Sequence, residues 1–366
     1  MKKLFFRIIT FVLIISAVFA FVACNENTDD NKDNTPVDHS NAPTSKVVLF
    51  IGDGMGPNHV DNTELFYGES MYFSGFTTKT KVDTNSLSGL TDSAAAATAM
   101  ATGQRVKNEI IALDGKNPIV SITELAKADR YGAGVVTSDE ITGATPSGFS
   151  AHAKSRSNSA EILLSQKDAQ LDLLLGAGSY SSVYSGLFAE KGWTWAEKYS
   201  DLGLDNKRYV AAFDDVNYEN GTDEIPTLTQ LATYAIDYME KNHPEGYFLM
   251  IEGAKIDKRS HSNDVYGMMK NMLDFNSAIK AVDQKLSSLG DDYSIIVTAD
   301  HETGGIKKAN TKEEVNNDLY TTTNHTATNV NLYFKSTLTA TPELINKELI
   351  LNTDIFLLCK YLLGIA

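Results

Sequence analysis

Cysteine is almost absent from this chain of 366 residues, which holds only Cys24 and Cys359. Two cysteines cannot build a disulfide framework, so a packed core has to hold the fold. Basic residues are also in short supply, 32 Lys and Arg against 47 Asp and Glu, for a formal charge of -15. That balance argues against a nucleic-acid partner, because a phosphate backbone rewards basic patches. No Pro/Ser-rich linker interrupts the body and no internal repeat recurs, so one domain is favoured over two. What is present is a 42% share of hydrophobic residues, too many for a disordered chain.

Long apolar runs are confined to the N-terminus. Lys2, Lys3 and Arg7 precede a run from Ile8 to Ala23 that is short for a membrane span and suits a secretory segment. Ala23-Cys24 closes the run and resembles the cleavage box of bacterial lipoproteins, with Phe21 where such boxes usually carry Leu. The expectation is a signal peptide over 1–23, a lipid on Cys24, and export to the periplasm or cell surface. Ordinary cleavage, or an uncleaved anchor, with an incidental cysteine is the alternative. Asn25 to Ser45 is polar, with Val37 its one bulky apolar residue, and reads as a disordered tether spanning 24–45. The single domain then covers 46–366. If Cys24 is acylated, Cys359 is left as a core residue of an apolar helix, Ile350 to Leu363.

From Lys46 onward, apolar segments alternate with Gly-rich or polar loops and amphipathic segments. The predicted strands are 47–51, 134–137, 171–175, 209–213, 247–251, 294–298 and 330–334. The predicted helices are 93–101, 119–129, 227–241, 265–288 and 353–363. Several strands are apolar throughout, as strands covered on both faces should be. Leu228, Leu231, Ala232, Ala235 and Ile236 recur with a helical period. The pattern implies an α/β fold, a mostly parallel central sheet with helices on both faces. Lys307–Asn324 is polar and rich in Thr and Asn, and reads as a long surface loop.

Polar residues gather just after these strands, the edge where open α/β sheets bind ligands. Asp53 follows the first strand within Gly52-Asp53-Gly54-Met55-Gly56, a setting for a hard cation and equally an Asp-Gly turn. Ser93 opens the alanine-rich helix. A serine there is commonly an N-cap, yet free N–H groups at that end also favour an anion or a phosphoryl group on its hydroxyl. In Ala144-Thr145-Pro146, followed by His152 and Arg156, the threonine can offer a hydroxyl to a metal and the arginine a planar fork to phosphate oxygens. Read alone, that stretch is better described as a Thr-Pro turn and a surface arginine. Glu252 ends another strand, and Asp257 and His261 follow four apart, on one face if helical. Carboxylate with imidazole suits zinc, though a salt-bridged loop fits as well. Thr298-Ala299-Asp300-His301-Glu302-Thr303 and, later, His325 complete the set. His152, His261, His301 and His325 place four of the seven histidines in these clusters.

Asp92-Ser93-Ala94-Ala95-Ala96 and Thr298-Ala299-Asp300-His301-Glu302-Thr303-Gly304-Gly305, in this order, resemble the alkaline phosphatase family, over about Lys46 to Phe334. The resemblance implies a phosphomonoester hydrolase holding two zinc ions and one magnesium ion. It implies that Ser93 is the nucleophile that becomes phosphoserine and that Arg156 clamps the phosphate. Lys258 would reach phosphate through water. Asp257, His261 and His325 would hold the first zinc. Asp53, Asp300 and His301 would hold the second, and Asp53, Thr145 and Glu252 the magnesium. Many members are homodimers. Gly143 departs from members that carry an acidic or imidazole side chain two residues before the threonine, and the body is shorter than most. A phosphodiesterase on the same scaffold would usually lack Thr145 and Glu252. A sulfatase would need Cys/Ser-x-Pro-x-Arg, which Ser93 does not begin. A non-catalytic phosphate- or metal-binding lipoprotein would need no nucleophile.

Overall fold

A computed structural model of the chain describes His39, residues 42–218 and residues 221–366. The expected signal peptide, Cys24 and most of the expected tether lie outside the described residues. The end of that segment that is described packs against the body. The His39 ring stacks on Tyr131, and Thr44 is buried with its N–H donating to Leu362 O at 2.9 Å. Among the described residues no helix is long and apolar enough to cross a membrane.

Ten strands form one sheet: β1 (46–52), β2 (78–83), β3 (132–140), β4 (173–177), β5 (193–196), β6 (208–213), β7 (247–253), β8 (293–298), β9 (330–336) and β10 (349–351). Their order is β10-β2-β9-β8-β1-β7-β3-β4-β6-β5. The seven strands from β8 to β5 are mutually parallel, and β9 alone runs against its neighbours. Every residue of β1, β7 and β8 is buried, which is why these strands read as apolar runs.

The helices are α1 (57–67), α2 (93–102), α3 (122–128), α4 (144–148), α5 (159–166), α6 (182–189), α7 (228–242), α8 (255–261), α9 (265–289) and α10 (353–362). They cover both faces of the sheet, as the alternation of side chains along β7 shows. Phe248 stacks on Phe149, just after α4. Leu249 points the other way, toward Met239 of α7 above Gly134. Phe50 is on that second face, in register with Ile251, and meets Phe275 of α9. Glu252, four residues from Phe248, therefore faces the α4 side. Helix α2 is buried along all ten residues. Its Ala-rich surface lets α4 approach so closely that a Cβ on Gly148 would meet the Ala97 Cβ at 2.8 Å. It stops at Gly103, with φ +71° and no room for a side chain beside Phe356.

The predicted strands and helices are all present, with shifts at their ends. The helix expected over 119–129 starts only at Ile122, where Ser121 and Glu124 form a reciprocal cap. The apolar segment from Ile350 is not one helix. Ile350 pairs with Val82 in the sheet, and the helix begins at Thr353 with Cys359 buried in it. The 307–324 segment is anchored as well as polar. Ala309, Val315 and Tyr320 are buried, and Asn62 bonds both Lys307 O and Ala309 N.

Candidate active site

The carboxyl ends of β1, β7 and β8 adjoin in the sheet, so the residues after them share one edge. Asp53 leaves β1 into a tight turn at Gly54 (φ +71°), whose N–H donates to Asp300 Oδ1 at 3.1 Å. A Cβ there would sit 2.8 Å from both Asp257 Oδ1 and Thr303 Oγ1, so only glycine lets this turn close on the site. Asp300 and His301 leave β8. His301 Nε2 lies 3.2 Å from Asp300 Oδ2, 3.4 Å from Asp53 Oδ1 and 3.2 Å from Ser93 Oγ. Ser93 is the first residue of α2 and is buried.

A second group adjoins the first. Asp257 and His261 occupy one face of α8, with His261 Nε2 3.2 Å from Asp257 Oδ2. His325 Nε2 lies 3.2 Å from His261 Nε2 and 3.8 Å from Asp257 Oδ1, and its ring stacks on His301 at 3.5 Å. His301 is close enough to join Asp257 and His325 as well, while His261 closes the group at its more exposed rim.

The hydrogen bonds behind these rings fix what they present. His261 Nδ1 faces Thr323 O and His325 Nδ1 faces Thr91 O. A carbonyl only accepts, so both Nδ1 atoms carry the proton in the neutral ring and both Nε2 atoms carry a lone pair. Thr303 Oγ1 donates to Asp257 and so accepts from His301 Nδ1 at 3.2 Å, which leaves His301 in the same tautomer. Lone pairs from three imidazoles and three carboxylates thus converge. Asp53 Oδ1 and Asp300 Oδ2 are buried without a hydrogen-bond partner. Such an arrangement is repulsive unless cations occupy it, and imidazole with carboxylate is the donor set of zinc.

A third group contains oxygen donors only. Glu252 is buried on the α4 side and accepts from the Thr137 hydroxyl. The Thr145 hydroxyl lies close enough to favour Glu252's charged form, yet makes no hydrogen bond of ordinary geometry. With Asp53, these residues fit magnesium.

Electrostatics agrees with this picture. Burial, then the charges of Asp300, Asp257 and Glu252, push Asp53 well above the usual carboxylate range. Burial and then Asp139 raise Glu252 to about 8. Burial and then Asp257 raise Asp300 to about 6. Burial lowers His301 to about 4, so its ring is neutral. Asp257 is the exception, since without metal His261 is readily protonated and then donates to it, and together with the Thr303 hydroxyl this outweighs its burial and holds it low.

These shifts set a pH signature for the metal-free protein. A carboxyl whose folded value is raised stabilises the fold while protonated. That stability is complete below the unfolded value of about 4 and is lost as pH rises through the folded value. Below about 6.5 the loss from Asp300 is offset by His59 and His301, whose burial holds both near 4, so the clear signature lies above that: Glu252 makes the chelator-treated protein melt at progressively lower temperature as pH rises from about 6.5 to about 8. Zinc and magnesium should restore most of the loss at the upper end. Thermal melts across this range check it, and a metal-free melting temperature that is flat or rises with pH would contradict it.

Arg156 and Lys258 flank these groups. Arg156 Nη1 lies 3.4 Å from Asp92 Oδ2, with the side chain partly exposed at the mouth. Asp92 caps α2 through Ala95 N and also accepts from Glu109 N, so one carboxylate ties the serine's helix to the arginine. Lys258 pairs with Asp139 and is half exposed. His152 does not join the site. Its Nδ1 faces Ala112 O and its Nε2 faces Glu124, within a cluster formed by α3. Sequence reading passed over Thr303, Asp92, Asp139 and His59. Thr303 and Asp92 sit inside the very motifs that were singled out. His59 bonds Ser260 behind Asp257, one turn into the helix after the Asp53 loop.

An α/β sheet whose strand ends gather two carboxylate–imidazole clusters that could hold metal ions, beside a serine that opens a buried helix, suits chemistry on that serine's hydroxyl. The alkaline phosphatase family model matches residues 44–175 and 186–348, and the chain belongs to that family. It is 33% identical to alkaline phosphatase 3 of Bacillus subtilis over 286 residues, covering 71% of this chain and 61% of that one. Alkaline phosphatase 4 of the same organism is also 33% identical, over 72% of this chain and 62% of its own. The chain thus spans about three fifths of the length of these relatives. Among solved structures, a mutant alkaline phosphatase from TAB5 with Mg bound in its M3 site superposes with a TM-score of 0.74 at 25% identity, over 89% of this chain and 99% of that one.

Proposed function

We propose that this protein hydrolyses small phosphate monoesters through a phosphoserine on Ser93. The observation that carries the reading is the position of Ser93 Oγ, at the start of buried α2 and 3.2 Å from a histidine whose lone pair already faces Asp53 and Asp300. Asp257, His261 and His325 would hold one zinc, Asp53, Asp300 and His301 another, and Asp53, Thr145 and Glu252 a magnesium. That a mutant TAB5 alkaline phosphatase binds magnesium supports counting magnesium among the ions. Bound there, the ions would supply positive charge and Lewis acidity to the entering and leaving oxygens.

The chain's own part is to place and hold. Ser93 Oγ attacks phosphorus, the ester's alcohol departs, and water then displaces the serine to release inorganic phosphate. Helix α2 aims its free N–H groups and positive end at the phosphoryl oxygens. Arg156, oriented by Asp92, grips two of them. Rates on aryl phosphate, bis-aryl phosphate and aryl sulfate test the assignment. The monoester should lead by at least about a thousandfold in kcat/KM. A diester that matches it would make the protein a phosphodiesterase, and no turnover with full metal content would make it a binding protein.

Arg156→Ala should weaken inhibition by inorganic phosphate about tenfold to a hundredfold, the worth of a charge-assisted fork, and affect kcat on an activated ester less. Unchanged phosphate inhibition would remove Arg156 from the site. We further propose export and attachment to the membrane through a lipid on Cys24. Cys24→Ser should release the protein into the soluble fraction, and unchanged membrane association would refute the anchor.

A further inference from the structure

The third donor group has a neighbour that the family resemblance does not assign. Asp139 is the last residue but one of β3, and its N–H donates at 2.9 Å to Thr137 Oγ1, the hydroxyl that bonds Glu252. Its carboxylate turns back over Gly143. A Cβ on Gly143 would start 3.0 Å from Asp139 Oδ2, so the carboxylate fills the room a side chain at 143 would need. Its other oxygen bonds Lys258, the residue after Asp257. Asp139 thus meets, through its N–H, the hydroxyl that bonds Glu252 and, through its carboxylate, the lysine next to the zinc-type group, and it lies over Gly143, two residues before Thr145.

From this geometry we propose that Asp139 is the outer carboxylate of the Asp53–Thr145–Glu252 site. It holds a magnesium ion's water shell there and screens the ion from Lys258. The inference rests on the reading of that site given above. Magnesium sheds water reluctantly and is commonly held through it, which leaves a role for a carboxylate one layer out. The pair with Lys258 is too exposed to matter much for stability, with side-chain exposures of 52% for the lysine and 20% for the aspartate. Asp139 is therefore a positioning residue, and its effect belongs in metal affinity.

Calorimetric titration of magnesium into the zinc-loaded protein is the test. Asp139→Asn should raise the magnesium Kd about tenfold or more, with zinc content and the metal-free melt close to the parent's. Lys258→Gln should act in the opposite sense, leaving magnesium binding as tight or tighter, because it removes a positive charge from the cation's surroundings. A pair with a merely structural role would weaken binding from either side. Unchanged affinity in Asp139→Asn, or equal weakening in both variants, overturns the proposal and leaves the phosphatase reading intact. A parent protein that binds no magnesium and hydrolyses no ester overturns both.

Discussion

Ser93→Ala is expected to lower kcat on an aryl phosphate by at least about a thousandfold while leaving zinc and magnesium content near normal. The substitution deletes one oxygen and nothing else of consequence. Ser93 lies in a helix whose next four residues are alanines, so a fifth fits both the backbone and the packing. Asp92, not Ser93, caps the helix, so the cap survives. Ser93 Oγ hydrogen-bonds His301 Nε2, the nitrogen that also faces Asp53 and Asp300. Its loss leaves those donors in place. A steady-state assay beside a metal analysis separates the two effects. Retention of most of the activity would move the nucleophile elsewhere.

Asp53→Asn should be nearly as damaging, by a different route. Asp53 feels the charges of Asp300, Asp257 and Glu252 together, which places it among all three donor groups. An amide has one oxygen, no charge and an N–H₂ that would point hydrogens at the cations. The variant should fall from about three bound ions per chain to about one, and lose activity by two orders of magnitude or more, about the upper end of what supporting ligands cost. Glu252→Gln makes the comparison, because it should release magnesium alone. Mass-spectrometric metal counting checks both. Full occupancy in Asp53→Asn would show that the two sites do not share this carboxylate.

Much of this was legible in the sequence, and the reason is local. Strands β1, β7 and β8 are covered on both faces and so appear as apolar runs, and the candidate site residues lie at their ends or just beyond, as Asp53, Glu252, Asp300 and His301 do. The strands toward the ends of the sheet were hidden. Thr78–Asp83 alternates lysine and threonine without an apolar run and owes its strand to pairing with β9, far away in sequence. Strand β10 was absorbed into a helix because Leu349, Ile350 and Leu351 are as apolar as the turns that follow. Among site residues, spacing identified side chains that share a segment, such as Asp257 and His261. It could not reveal Asp139, whose two partners are Lys258 and, through Thr137, Glu252, more than a hundred residues away. Nor could it reject His152, which shares a segment with Arg156 yet turns toward α3. The scarcity of positive charge is also resolved at this level. The acidic residues at the centre of the fold are those that cations would neutralise, so an acidic chain can still hold a locally positive pocket for phosphate.

The central claim is a covalent phosphate on one serine. The metal-loaded protein should be incubated with a phosphate monoester, quenched in acid, digested and analysed by mass spectrometry. The account predicts a single phosphoryl group on the peptide carrying Ser93, absent from Ser93→Ala. Turnover with no phosphate trapped on Ser93, or with phosphate on another residue, would contradict it.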